Sequence, residues 1–176
     1  MINMREKLMG VIPLMVALVF VVAIGAYSSP SYAATASQTV TVTVPEAISI
    51  VVPNVNFGSI AAGSEGTSPA FTVSNTGNVK IDLYVKADAS AFTSPTATDT
   101  IPITGFNIFS NVTGNYQNIT TSSLKIYDNM NKASQGAGTP TTWTTTLRLF
   151  VPPFTEDGTY TITNTYTAVK HNSPAP

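Results

Sequence analysis

The chain contains no cysteine and a single histidine, His171. Without cysteine there is no disulfide to staple the fold, no thiol catalysis and no thiolate metal site. One histidine near the C-terminus leaves little from which to build a Ser-His-Asp triad or a histidine-rich metal centre. Charge is almost as scarce. Only 10% of the 176 residues are charged, against about 25% in typical soluble proteins. Three of the charges, Arg5, Glu6 and Lys7, sit at the N-terminus. Beyond them lie six basic residues (Lys80, Lys86, Lys125, Lys132, Arg148, Lys170) and eight acidic ones, a net charge of about −2. With no basic patch and no arginine cluster, nucleic acid is not an expected partner. The polar surface must come from Thr, Ser and Asn. Such a surface repels its own copies weakly, which suits self-association.

The one long apolar run lies near the N-terminus. Arg5 and Lys7 precede apolar residues 8–27, and small residues from Ser28 to Ala36 follow. Residues 1–36 therefore read as a signal peptide. Ser31-Tyr32-Ala33 and Ala34-Thr35-Ala36 each place small residues where a signal peptidase needs them, so cleavage is expected after Ala33 or Ala36. The apolar run is also long enough to span a bilayer, which makes a retained anchor the competing reading. A pilin-type leader cut near Gly10 is disfavoured, because Met9 stands where a Lys or Arg would precede the glycine. Cleavage would leave roughly 140 residues, enough for one domain with its own core. The expected location is extracellular or at the cell surface, with membrane contact only during secretion.

The mature chain opens on Ser37-Gln38-Thr39-Val40-Thr41-Val42-Thr43-Val44. Strict alternation of β-branched residues predicts a strand with one apolar face. The even-numbered apolar series resumes after Pro45 at Ile48, Ile50 and Val52, broken only by Glu46. Nothing upstream remains to pair with this strand. It either folds back into its own domain or completes a neighbour's.

Downstream the chain reads as short alternating runs between Gly, Pro, Asn and Ser clusters, the pattern of a two-sheet antiparallel sandwich of the immunoglobulin-like or jelly-roll kind. Expected strands include a short one around Phe57, one at Phe71–Ser74, and Val79–Ala87, the last with Lys80, Asp82, Tyr84 and Lys86 facing solvent. Further strands are expected at Ile101–Phe109, with a bulge at Gly105, at Ile119–Tyr127, and at Thr142–Val151, with Trp143, Thr145, Leu147, Leu149 and Val151 on one face. A final strand carries Tyr160, Ile162, Tyr166 and Ala168 inward. Asn75-Thr76-Gly77-Asn78 reads as a tight turn. Asp88–Thr100 and Asp128–Pro140 read as loops. The expected organisation is a signal peptide at 1–36, an N-terminal strand at 37–52, a sandwich domain at 53–170 and a disordered tail at 171–176.

Few residues suggest chemistry. Asn111-Val112-Thr113 and Asn118-Ile119-Thr120 are N-glycosylation sequons, which makes Asn111 and Asn118 candidate glycan sites. Asp88 and Asp99 could share a calcium ion if their loop folds back, but no EF-hand spacing supports this. Tyr84, Tyr127, Trp143 and Tyr160 could form a sugar-binding platform, although packing within the sheets is their commoner use. No catalytic residues, cofactor or metal are expected.

The segment Val55-Asn56-Phe57-Gly58-Ser59-Ile60, then Gly63, then Phe71-Thr72-Val73-Ser74-Asn75-Thr76-Gly77-Asn78-Val79, resembles the opening of many extracellular immunoglobulin-like domains. The stretch from Leu147 through Pro152-Pro153 and Gly158 to Ala168 resembles their final hairpin. With the signal peptide and the Thr/Val strand, the whole resembles archaeal bundling-pilus subunits and bacterial TasA-type biofilm fibre proteins. That resemblance implies an incomplete sandwich, completed by the N-terminal strand of the next subunit. On this reading Val40, Val42 and Val44, joined by Ile48 and Ile50, are the polymerisation residues. The expected partner is another copy of the same chain, with neighbouring filaments in bundles as a further one. The alternative is a monomeric secreted or cell-surface sandwich for adhesion or carbohydrate binding. A hydrolase is the third and weakest reading.

Overall fold

The computed structural model describes residues 34–133 and 141–176. The expected signal peptide up to Ala33, and the end of the loop before Thr141, lie outside the described residues. The chain divides into two units, Met1–Thr43 and Val44–Pro176. In the first, residues 34–43 form neither helix nor strand and are exposed. The second is an all-β antiparallel sandwich.

Its first layer is built around a nearly continuous line of strand, β10 (Thr141–Thr145) and β11 (Leu147–Phe150), interrupted only at Thr146. Trp143, Thr145, Leu147, Leu149 and Val151 are all buried, the period-two face predicted from the sequence. One side of this line pairs with β3 (Phe71–Asn75) and β2 (Glu65–Thr67). Where these two strands break, Ser68 holds the seam. Its N–H donates to the Leu147 carbonyl at 2.9 Å, and its Oγ accepts the Leu147 N–H at 3.0 Å. Beyond β3 lies the short β1 (Ile50–Val51). On the other side of β11 come β7 (Phe106–Ser110) and β8 (Asn115–Asn118).

The second layer is β12–β4–β9, where β4 is Ile81–Ala87, β9 is Leu124–Met130 and β12 is Asn164–Lys170. The Asn111 N–H donates to the Ile126 carbonyl at 2.9 Å and ties β9 to the first layer. A small two-stranded sheet, β5 (Ala91–Phe92) with β6 (Ile101–Pro102), and a 3₁₀ turn at Ile103–Gly105 complete the structure. All strands surround a single apolar core, in which Val73, Leu83, Ile108, Ile126 and Met130 are fully buried. Phe92 and Phe57 both meet Phe106 edge-on, at 4.9 and 6.4 Å between ring centres.

Several elements depart from expectation. Residues 54–60 form no strand, because Pro53 cannot donate to a ladder and Gly58 takes φ +72°. Val55, Phe57 and Ile60 nevertheless pack on the core. The loop expected at Asp88–Thr100 contains β5, with Phe92 buried. β8 was not expected, since Asn-Tyr-Gln-Asn lacks alternation; the Thr113-Gly114 turn and register against β7 create it. Ile119 is buried but outside any strand, and β9 begins only at Leu124. Gly105 ends the 3₁₀ turn instead of forming a bulge. A Cβ there would lie 2.8 Å from Phe150 Cβ.

β4 is also more central than its alternation suggested. Asp82 and Tyr84, expected in solvent, are buried. Strands pair with β4 on both sides, and the residues around Asp82 close over it. The tail expected at 171–176 is tethered at its start. The His171 N–H donates to the Lys80 carbonyl at 2.9 Å, and its Nδ1 lies 2.8 Å from Asp82 Oδ1.

Candidate functional site

The expected polymerisation residues divide between two environments. Val40, Val42 and Val44 are 82%, 85% and 72% exposed, and Ile48 is 46% exposed. Residues 34–49 contain no strand. Ile50 belongs elsewhere. It lies in β1 opposite Asn75 and packs against the core of its own domain. The element expected over 37–52 therefore separates into an exposed segment up to Val44 and a root, from Pro45 onward, that is bonded to the sandwich.

The root is fixed to the turn between β3 and β4. The Ala47 N–H donates to Asn78 Oδ1 at 2.7 Å, and the Asn78 N–H returns to the Ala47 carbonyl at 3.0 Å. Asn78 Nδ2 reaches the Pro45 carbonyl at 2.9 Å, and the Thr76 N–H donates to the Ser49 carbonyl at 2.9 Å. Thr76 Oγ1 adds a bond to Ser49 Oγ at 2.8 Å, and Lys170 pairs with Glu46. The turn itself is braced by buried Asn75. Its Nδ2 donates to the carbonyls of Val79 and Asn131, and its Oδ1 accepts the Gly77 N–H. The motif read from sequence as a turn thus also anchors the chain that emerges from it.

The free edges of the sheets differ in how well they are closed. The β9 edge carries two register shifts, and Asn129 within one of them adopts φ +56°. Asn tolerates that left-handed conformation at low cost. The Ile126 carbonyl on this edge already accepts the Asn111 N–H. β12 instead runs against β4 through seven consecutive pairs without a shift. Tyr166 and Ala168 face the core, and both are only half-buried. Burial raises the Tyr166 phenol well above its ordinary range.

Asp82, Lys125, Asp128 and His171 form a charged cluster at the β9 irregularity. Burial pushes the Asp82 carboxyl up. The Asn129 N–H at 2.9 Å, His171 and Lys125 outweigh that and hold it well below the usual carboxylate range. Asp128 first, and then Asp82, raise Lys125 above its ordinary value. One ligand atom each from Asp82, Asp128 and His171 lies within 4.8 Å of the others. Lys125 Nζ sits against both carboxylates, 3.0 Å from Asp82, and supplies the positive charge that the pair requires. Sequence reasoning missed this cluster because alternation placed Asp82 in solvent.

The remaining candidates separate. Asp88 Oδ1 accepts the Thr163 N–H, while Asp99 Oδ2 accepts the Glu156 N–H. Asp88 and Asp99, weighed as a calcium pair, thus each brace their own loop. Glu156 in turn accepts the Thr98 and Asp99 N–H groups, in that order of strength, and its carboxyl is lowered. The four aromatic residues do not form a shared surface. Trp143 and Tyr84 are buried, Tyr127 packs edge-on against Trp143 at 5.4 Å, and the Tyr160 hydroxyl donates to the Glu156 carbonyl. Asn111 is exposed at the β7–β8 turn. Asn118, in the amide orientation that satisfies both its polar atoms, donates to the carbonyls of Ile103, Thr104 and Phe106.

No protein-family model matches the chain, and no curated protein matches it significantly.

Proposed function

We propose that this protein is the structural subunit of an extracellular filament, of the pilus or biofilm-fibre kind, that polymerises by donating Ser37–Val44 to the next subunit. The observation that carries this reading is the exposure of an apolar strand face. Val40, Val42 and Val44 alternate with threonine in a segment with every local preference for sheet, yet all three are at least 72% exposed. An extended segment of this kind completes a sheet edge by main-chain hydrogen bonds and places alternate side chains in the core. Burying each valine contributes about 1.5–3 kcal/mol, reduced by the cost of ordering the strand. Donor and acceptor surfaces differ, so the contact is heterologous, and a heterologous contact that does not close makes a fibre. No cofactor, metal or catalytic step is involved. The low surface charge also favours lateral association of finished filaments.

The test is negative-stain electron microscopy of the chain beginning at Ser37, over rising concentration, beside the same chain lacking Ser37–Val44. Uniform fibres from the first and discrete particles from the second are expected. Discrete particles from both would overturn the filament reading and favour a monomeric surface domain.

A further inference from the structure

We propose that the outer edge of β12 is the acceptor for the Ser37–Val44 segment of a second copy of this chain. The inference rests on the filament reading and adds the surface on which the donated strand lands.

Elimination of the other edges comes first. β1 has two residues, and Pro53 follows shortly after it. β2 has three residues and is followed by Pro69. β5 and β6 have two each. β8 has four residues, all polar except Tyr116. β10 has five, and its Thr145 end is turned to β7, where the Phe109 N–H donates to the Thr146 carbonyl and Thr145 Oγ1 to the Phe109 carbonyl. β9 is interrupted by its register shifts, and its outer edge is bonded at Ile126. Natural sheets close their edges with such devices: short strands, prolines, bulges and covering chain. β12 shows none of them. It is seven residues long, free of Gly and Pro, and regular throughout. Among the described residues, no backbone hydrogen bond uses its outer edge between Asn164 and Val169. Its one charge, Lys170, stands at the end and is engaged by Glu46.

The chemistry of the two strands then matches face by face. Directly paired residues in an antiparallel ladder share a face. Tyr166 and Ala168 lie opposite Val85 and Leu83, both fully buried, so they point inward. Thr165 and Thr167 lie opposite Lys86 and Tyr84 on the other face. An added strand that sets Val40, Val42 and Val44 inward, beside Tyr166 and Ala168, necessarily sets Thr39, Thr41 and Thr43 outward beside Thr165 and Thr167. The first set covers a half-exposed margin of core, and the second makes the cross-strand threonine pairs that stabilise sheets. A one-residue slip would turn every valine to solvent, so the matching fixes parity whatever the register. Eight donor residues span the seven of β12, and Pro45 ends the ladder immediately after Val44.

The absence of cysteine makes this directly testable, since engineered thiols are the only ones present. Full-length chains carrying Thr41→Cys are secreted, purified and mixed with chains carrying Thr165→Cys, Thr167→Cys or Val169→Cys, then oxidised gently. Fibre formation is scored by microscopy on the same samples. Disulfide-linked dimers between the two kinds of chain are expected with at least one outward partner, because directly opposed positions meet disulfide geometry. None are expected between Thr41→Cys and Ala168→Cys, which differ in face. Thr165 is exposed, so its replacement does not put folding at risk. Fibres without any of these cross-links would overturn the β12 assignment and leave the filament reading standing. For chains carrying both cysteines, linkage only within a single chain would overturn the second-copy occupant. The absence of both fibres and cross-links would overturn both readings.

Discussion

Asp82 shows how one residue can join three parts of the chain. Its carboxylate accepts the N–H of Asn129 within the irregular part of β9, contacts His171 just past the end of β12, and pairs with Lys125. It is 2% exposed, so removing it leaves the Asn129 amide without its acceptor and Lys125 with Asp128 alone. Replacing one partner of such a buried network typically costs about 3–5 kcal/mol. Asp82→Ala should therefore destabilise the domain by roughly 3 kcal/mol in urea denaturation. Asp128→Asn, at a half-exposed carboxylate, should cost less than about 1 kcal/mol. The pH dependence follows from the sign of the shift. The folded carboxyl titrates below its unfolded value of about 3.9. Its contribution is complete above that value and is lost as the pH falls through the folded one. Denaturation midpoints should drop steeply below about pH 4 in the native protein and less steeply in Asp82→Asn.

The two sequons differ at the same scale. Asn111 is free on a turn, whereas the Asn118 amide satisfies three carbonyls around the 3₁₀ turn. A glycan on Asn118 would compete with those bonds. If the protein is secreted and glycosylated, glycosidase treatment should release mass from wild type and from Asn118→Gln, and none from Asn111→Gln. Persistence of the glycan in Asn111→Gln would refute the assignment.

Among the elements, legibility followed alternation. The line from Trp143 to Val151 and strand β3 were readable because their buried residues fall at alternate positions. β8 was not readable, since its pairing comes from a turn and a neighbour and not from its own four residues. Residues 54–60 misled for the opposite reason: they are apolar enough to pack, but Pro53 and Gly58 deny them a ladder. The even-numbered apolar series runs on past Pro45 with only Glu46 breaking it, so alternation alone did not separate the segment up to Val44 from the root. Only the bonds to Asn78 and Thr76 show that the root belongs to the sandwich. Gly77 makes that root possible. A Cβ on it would lie 2.3 Å from the Ala47 carbonyl oxygen, which is backbone and cannot swing away. Gly77→Ala should thus displace residues 45–49 from the turn. Amide exchange at Ala47 and Asn78 should accelerate by an order of magnitude or more, for a loss of about 1–3 kcal/mol. The amides of β10 and β11 should be unaffected. Unchanged exchange at Ala47 would mean that the root is not held by this contact.

At the scale of the molecule, the question is whether the domain needs its N-terminal segment in order to fold. The buried core runs from Phe71 to Val151, and among the described residues the earliest packed against it is Ile50. Everything upstream of Val44 belongs to a separate unit. Deleting residues up to Thr43 should therefore leave a dilute monomer that unfolds cooperatively, with stability within about 1 kcal/mol of the undeleted monomer, or roughly 4 °C in midpoint. The assembled protein should behave differently. A strand bound from a neighbour stabilises the acceptor by mass action, so the midpoint of the undeleted chain should rise with protein concentration while that of the deleted chain stays constant. Scanning calorimetry over a hundredfold range of concentration reads both. A large drop on deletion, independent of concentration, would show that Ser37–Val44 completes its own sandwich. A midpoint that climbs only when the segment is present assigns the same valines to the bond between subunits.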